Sequence, residues 1–196
     1  VRLAYNGLVK ANAGQKHVII ISDGDPQPPP TSLLQDYVNA KITISTVGLL
    51  PQIERYTEEG QPYRLILSLT SAFSEKRASL VPVTARYGVP ELASAMRRHA
   101  ARRGGPVSLA WVLISGFNTG PEEARELARL FRGVPVRLSV IDVNDAAGGF
   151  ARAPDDERGR FLTALSANGL AFVRRYSGGP DIDAACGMLA SRTRGG

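Results

Sequence analysis

Residues 107–141 read VSLAWVLISGFNTGPEEARELARLFRGVPVRLSVI, and the order of signals within them decides the fold. Val107 to Ile114 is an apolar run of strand length, and Val136 to Ile141 is a second one rich in β-branched residues. Between them Thr119-Gly120-Pro121-Glu122-Glu123 places a proline at an early helical position and acids against the positive end of a helix dipole. The spacing predicts a helix over Pro121 to Phe131. A strand, a helix and a strand joined by short links form a crossover, which makes the two strands parallel.

The same alternation extends in both directions. Strands are predicted at His17 to Ser22, Ile42 to Val47, Arg64 to Leu69 and Leu170 to Arg174. Helices are predicted near Leu3 to Ala11, Thr31 to Asn39, Pro51 to Glu58, Pro90 to Arg102 and Asp155 to Ala167. The expectation is a single α/β domain over residues 1 to 196. Alternation alone leaves two architectures open, an open doubly wound sheet and a closed or partly closed barrel. Both bury their strands on two faces and place ligands at strand C-terminal ends. The Pro28-Pro29-Pro30 run reads as a rigid surface turn rather than a domain boundary.

Composition narrows the class. With 43% apolar and 21% charged residues, the 196-residue chain has the make-up of a soluble globular domain with one sizeable core. No apolar run reaches the ~20 residues that span a bilayer, and the N-terminus lacks the pattern of a signal peptide. A cytoplasmic protein without membrane contact is expected. The start at Val1 is expected to mark a processed product, an excised fragment or an incomplete reading frame. One cysteine, Cys186, excludes an internal disulfide framework and a multi-cysteine metal site within these residues. A net charge of +6 permits an electrostatic contribution toward nucleic acid.

Cys186 lies in Asp181-Ile182-Asp183-Ala184-Ala185-Cys186-Gly187-Met188-Leu189. This stretch, with Ile44-Ser45-Thr46-Val47-Gly48, Leu67-Ser68-Leu69-Thr70, Leu80-Val81-Pro82-Val83 and Gly116-Phe117-Asn118 in order before it, resembles the radical-SAM large-subunit ribosomal RNA adenine methyltransferases. The resemblance covers about residues 41 to 196. It implies a partial TIM-like barrel of parallel strands, here without its first strand and cluster loop. It further implies S-adenosylmethionine as cofactor, a [4Fe-4S] cluster and an RNA substrate. By resemblance Cys186 is the methyl-carrying cysteine, and Ser45, Ser68, Leu69, Thr70 and Asn118 contact S-adenosylmethionine.

The departures point the other way. The family's CxxxCxxC loop and second cysteine have no counterpart in a chain with one cysteine, so cluster assembly and turnover are not expected of these residues alone. Thr70 stands where the family has histidine, and Ala110 where a strand glutamate is usual. Ser139 and Asp142 interrupt an Asn-Leu-Ile-Pro run, leaving Asn144. Weak S-adenosylmethionine binding is the expectation. The reading open beside the enzyme is a non-catalytic scaffold.

Residues 1 to 48 add a second resemblance. Tyr5 to Asp25, then a helix, then Ile42-Thr43-Ile44-Ser45-Thr46-Val47-Gly48, resembles the later half of a von Willebrand factor A-type domain, but without its DxSxS ligand loop. In the methyltransferase reading the first strand instead ends where the family has Gly-Glu-Pro, with Gly24-Asp25-Pro26 in its place at the cofactor's amino group. A plain turn explains Asp23 to Pro26 equally well. A hybrid joined within a shared strand and a diverged βα unit remain the two readings of residues 1 to 40.

Two further groups stand out. Arg86, Arg97, Arg98, Arg102 and Arg103 crowd one predicted helix, and Arg174 and Arg175 flank the last strand. RNA phosphates suit them, and a solvated helix face explains the first group more simply. His17 and His99 are too far apart in sequence to form a local ligand motif, and both are expected to be structural or solvated. An open sheet edge would also offer a surface for self-association.

Overall fold

The computed structural model describes residues 17–22, 41–144 and 149–175. The strands are β1 (His17–Ser22), β2 (Lys41–Thr46), β3 (Arg64–Ser68), β4 (Val107–Leu113), β5 (Val136–Asp142) and β6 (Ala171–Arg175). The helices are α1 (Leu50–Glu58), α2 (Ser74–Leu80), α3 (Val89–Arg103), α4 (Pro121–Leu130) and α5 (Asp155–Ala167), with a 3-10 turn at Pro82–Ala85. The predicted helices at Leu3 to Ala11 and Thr31 to Asn39 lie outside the described residues.

All neighbouring strands are parallel, and the sheet order is β1-β2-β3-β4-β5-β6, the order of the chain itself. This order separates the two architectures that alternation left open. A doubly wound sheet reverses direction once and binds ligands at that switch point. No reversal occurs among the described strands, so each crossover adds its strand on the same side as the last. Sequential winding is the order shared with barrels, and it sends the helices to one face because such crossovers share one hand. Among the described strands the outermost are β1 and β6.

Strand periodicity sets what each face holds. On β4 the residues Val107, Leu109, Trp111 and Leu113 are all at most 1% exposed and meet the helical layer. Leu65 and Leu67 of β3 and Leu138 and Val140 of β5 continue that face, which packs on Leu92 and Met96 of α3, Leu127 of α4, and Phe161 and Leu165 of α5. Trp111 stacks on Phe161 with ring centroids 5.8 Å apart. Each such apolar side chain contributes about 1.5–3 kcal/mol by leaving water. On the opposite face the register aligns Ser68 of β3 with Ala110 of β4 and Ser139 of β5. This face carries small residues where the helical face carries large ones.

The outer helices pack in pairs, α1 on α3 and α4 on α5. Here the arginines of α3 find their partners. Arg98 pairs with Glu54 at 2.7 Å, Arg102 donates to the Glu58 carbonyl, and Arg103 donates to the carbonyls of Gln61 and Pro62. Arg97 reaches the Leu130 carbonyl at the end of α4. The group read as one basic cluster thus fans out between neighbouring helices and loops. His99 is buried in the same layer, its Nδ1 3.0 Å from the Thr57 hydroxyl and its ring beside Tyr56.

Helix α2 is the element that the sequence reading left out. Seven residues with one apolar periodic position give little amphipathic signal. Its place is decided by Arg77, which is 0% exposed. The Arg77 guanidinium donates through Nε to the Leu69 carbonyl at 2.9 Å and through Nη2 to the Ser68 carbonyl at 3.1 Å. It also donates to the Val47 carbonyl and the Thr84 hydroxyl. Burial pushes its pKa down to about 10, which still leaves it charged near neutrality. Gly48 lies against this group with φ +102, and a Cβ there would stand 2.9 Å from Leu92 and 3.4 Å from Arg77.

Replacing Arg77 by methionine keeps the volume but leaves several buried acceptors without donors, each costing ~1–3 kcal/mol. The expected outcome in urea unfolding is a loss of at least about 3 kcal/mol, with Arg77→Lys recovering only part because a point-like ammonium cannot reproduce the planar fork. A methionine variant as stable as the parent would remove this role.

Candidate functional site

The C-terminal ends of β2, β3 and β4 form a rim, and the structure brings several of the sequence candidates together there. Ser45 on β2 and Ser68 on β3 lie side by side, their hydroxyl oxygens 3.2 Å apart. Asn118, in the loop after β4, donates from Nδ2 to the carbonyls of Thr70 at 2.6 Å and Val112 at 2.7 Å. Its Oδ1 accepts the Ile114 N–H at 2.9 Å. Asn118 is 0% exposed, so its amide joins the β3 and β4 rim loops from within. Leu69 sends its side chain into the core, while its N–H donates to the Ala110 carbonyl at 3.0 Å. Gly24, Asp25 and Cys186 lie outside the described residues.

Thr70 is the only described residue other than glycine with a positive φ, at 63°. That conformation brings Cβ close to the carbonyl and is uncommon for a β-branched side chain. It persists because both sides of the residue are held, by Arg77 on the Leu69 carbonyl and Asn118 on the Thr70 carbonyl. The turn aims the following residues at α4.

There a buried carboxylate closes the loop. Glu123, 0% exposed, accepts the Ala72 N–H at 2.7 Å and the Ser71 hydroxyl at 3.0 and 3.2 Å. Lys76 stands 3.3 Å from the same carboxylate, donates to the Phe117 carbonyl and sits over the rings of Phe73 and Phe117. One cation thereby tethers the β3 loop to the β4 loop. The sequence reading placed Glu123 as a helix-dipole acid, which fits its position in the first turn of α4. Its reach into the neighbouring loop was hidden because Ser71 lies 52 residues away.

The next loop is held in the same manner. Glu157, in the first turn of α5, accepts the Ser115 hydroxyl and the Gly116 N–H, each at 2.7 Å, and the Thr119 hydroxyl. These donors, led by Ser115, hold its carboxyl below the usual glutamate range. At the end of β5, Asp142 accepts from Arg152 at 2.8 Å and Arg174 at 3.3 Å, and Arg158 lies 3.7 Å away. Asp142 thus has a structural role at a position where the family resemblance expects proline.

Among the described residues no group of three or more His, Cys, Asp or Glu is arranged to hold a metal ion. The rim offers the Ser45 and Ser68 hydroxyls beside a sheet face of small residues. Such a surface can hold a polar organic ligand by hydrogen bonds. The single cysteine of these 196 residues does not fit a four-iron cluster, which is held chiefly by several thiolates.

No protein-family model matches the chain. Comparison with curated proteins finds 51% identity over 157 residues to a probable RNA methyltransferase of Anaeromyxobacter, covering 79% of this chain and 46% of that protein. A probable dual-specificity RNA methyltransferase RlmN of Symbiobacterium thermophilum is 41% identical over 155 residues, covering 78% of this chain and 42% of that one. Among solved structures, a radical SAM methyltransferase from Sphaerobacter thermophilus superimposes with a TM-score of 0.71 at 40% identity, covering 75% of this chain and 43% of its own. A domain of pyruvate-formate lyase-activating enzyme from Bacteroides vulgatus matches at TM-score 0.63 and 16% identity, over 82% of this chain and 99% of that one. This last likeness shows the fold alone. The chain spans less than half the length of the curated relatives it matches.

Fold and rim define a parallel α/β chain similar to radical SAM methyltransferases. More narrowly, the similarity is to the RlmN-like RNA methyltransferases.

Two outcomes follow for the rim. Thr70→Asn, which tolerates the left-handed conformation, is expected to stabilise the protein by about 1 kcal/mol, read as a higher urea midpoint at unchanged slope. Destabilisation would show that the threonine side chain contributes more than its strain costs. Because the Glu157 pKa is lowered on folding, its contribution is complete above the unfolded-state value of about 4.3 and is lost as pH falls through the folded value. Glu157→Gln should therefore flatten the loss of stability below about pH 4.3; an acid limb identical to the parent's would contradict this.

Proposed function

We propose that this chain is part of the catalytic core of an RlmN-like radical-SAM RNA methyltransferase, and that by itself it binds S-adenosylmethionine feebly and does not turn over. The observation that carries this reading is the convergence of Ser45, Ser68, Thr70 and Asn118 on one rim of a sequentially wound parallel sheet, in a chain 51% identical to a probable RNA methyltransferase. When bound, S-adenosylmethionine supplies an activated methyl group. Ser45 and Ser68 would hold it by their hydroxyls, while Leu69, its N–H and carbonyl engaged by Ala110 and Arg77, and Thr70, its carbonyl held by Asn118, would shape the turn beside it. Asn118 holds the rim in shape from below. A partial barrel is part of this reading, its concave face lined by Ser68, Ala110 and Ser139.

Cys186 is retained in this proposal as the methyl-accepting position, since a thiolate accepts a methyl group by simple displacement. The proposed inactivity rests on the single cysteine. Gly24 and Asp25 remain candidates for the cofactor's amino end. RNA is the proposed partner, in keeping with the names of the relatives and the net charge of +6. No helix among the described residues is long and apolar enough to cross a membrane, and a cytoplasmic location belongs to this reading. The relatives do not favour a non-catalytic scaffold, nor do they support the von Willebrand A-like hybrid reading, which falls largely outside the described residues. Self-association through the β1 or β6 edge is a further part of the proposal.

Calorimetry with S-adenosylmethionine tests it. The expected dissociation constant is no better than about 1 mM, roughly −4 kcal/mol, and Ser68→Val should weaken it further. Micromolar affinity abolished by Asn118→Ala would show a pocket that works without a cluster and would overturn the inactive reading. Absence of binding at about ten times that concentration would remove the cofactor assignment.

A further inference from the structure

Side chains alternate along a strand, so one face of this sheet meets the helices and the other is turned away from them. Ser68, Ala110 and Ser139 mark the second face. Arg64 stands on it four residues before Ser68, Arg137 two residues before Ser139, and Arg175 two residues after Val173, which the register sets beside Ser139. All three arginines are exposed, and none has a hydrogen-bond or ion-pair partner among the described residues. They differ in this from Arg77 and from the arginines of α3, whose N–H groups are taken by carbonyls and a carboxylate. The described strands hold one carboxylate, Asp142, and its register with Leu113 sends it to the helical face. The strand residues of the second face therefore carry positive charge with no carboxylate among them.

What these cations suit follows from their spacing. Arg137 and Arg175 lie on adjacent strands and four residues apart in register, about 14 Å between Cα atoms. Arg64 lies two strands from Arg137 and, with the β3–β4 register continued, two residues lower, about 12 Å away. A compact anion cannot meet all three. A chain of phosphodiesters can, each guanidinium taking the oxygens of one phosphate. The surface between the arginines is small and polar, with Ser108 in register with Arg137 and Ser139 two residues further along β5. The aromatic side chains of β4 and β6, Trp111 and Phe172, pack on the helical side, so these strands offer no ring on which a base could stack.

We propose that Arg64, Arg137 and Arg175 form a track for the backbone of an RNA strand across the sheet face away from the helices, running toward the C-terminal rim that Arg175 reaches at the end of β6. This rests on the reading of RNA as partner and adds the surface that holds it and the chemistry of the contact. Phosphates are held and bases are not read, so the track accepts any sequence.

Fluorescence anisotropy of the whole chain with a labelled mixed-sequence single-stranded RNA, over a series of salt concentrations, tests the proposal. Arg137→Gln keeps most of the stem and removes the charge. It is expected to weaken binding about fivefold at low salt and to reduce the slope of log affinity against log salt by about 0.7, and the double variant with Arg64→Gln to reduce it by about 1.4. Arg125→Gln removes the same formal charge from the exposed side of α4 and should leave affinity and slope as they are. Thermal melts should show each variant folded, since the substituted side chains are exposed. If the parent binds RNA and the Arg64 and Arg137 variants keep its affinity and slope, the inference fails while the RNA reading stands. An equal loss in Arg125→Gln would reduce the effect to net charge and would also overturn it. Polyglutamate of equal length competing as well as RNA would assign the face to acidic peptides instead. If the parent binds no RNA, the RNA reading fails and the inference with it.

Discussion

A buried arginine that donates to carbonyl and hydroxyl oxygens, with no carboxylate partner among the described residues, governs the arrangement of the rim. Arg77 places its charge among carbonyl oxygens at the ends of β2 and β3 and the hydroxyl of the 3-10 turn. Strand ends present carbonyls that no further strand residue satisfies, and in the interior such groups need donors. One guanidinium, rigid and rich in N–H groups, supplies several at once. The same geometry imposes conditions on its surroundings. Position 48 must be glycine in a left-handed conformation, and α2 must sit where its short length and weak amphipathicity would not place it.

From that point the rim is built loop by loop. Asn118 joins the β3 loop to the β4 loop through three backbone groups, and Glu123 with Lys76 joins them again from the α4 side. Glu157 secures the β4 loop to α5, and the Ser115–Ala151 hydrogen bond carries the chain of links to the β5 loop. Polar side chains therefore have two classes of work here. Some, such as Asn118 and Glu123, are buried and hold the backbone. Others, such as Ser45 and Ser68, stand half-buried at the strand ends and remain suited to a ligand. The strained Thr70 belongs to the seam between these classes, fixed on both sides by the first and adjacent to the second.

Element positions were legible in the sequence because buried parallel strands announce themselves. The six predicted strands coincide with the observed ones to within a residue or so at each end, and the described long helices do likewise. Continuous apolar runs, Gly and Pro punctuation, and acids at helix starts are local signals. The placement of Ser45 and Ser68 at neighbouring strand ends was also legible, through the resemblance and through the rule that strand C-terminal ends carry sites. Arg77, Glu123 and Glu157 were not. Each lies in a helix whose local pattern explains its presence, and its actual partner is a backbone or hydroxyl group far off in the chain or across the sheet.

The sequence by itself determined the alternation of strands and helices, the parallel sheet that such alternation requires, and the order in which candidate residues reach the strand ends. Only the tertiary structure decided that the sheet is wound sequentially without a reversal, since hydrophobic periodicity records which residues are buried and not which strand lies beside which. Tertiary structure likewise divided the arginines. Those of α3 find acceptors between outer helices, while Arg152, Arg158 and Arg174 gather at Asp142 on the rim. Charge in a sequence is a count; its meaning depends on how many carboxylates and carbonyls the fold brings within hydrogen-bonding distance, and that is a property of packing alone.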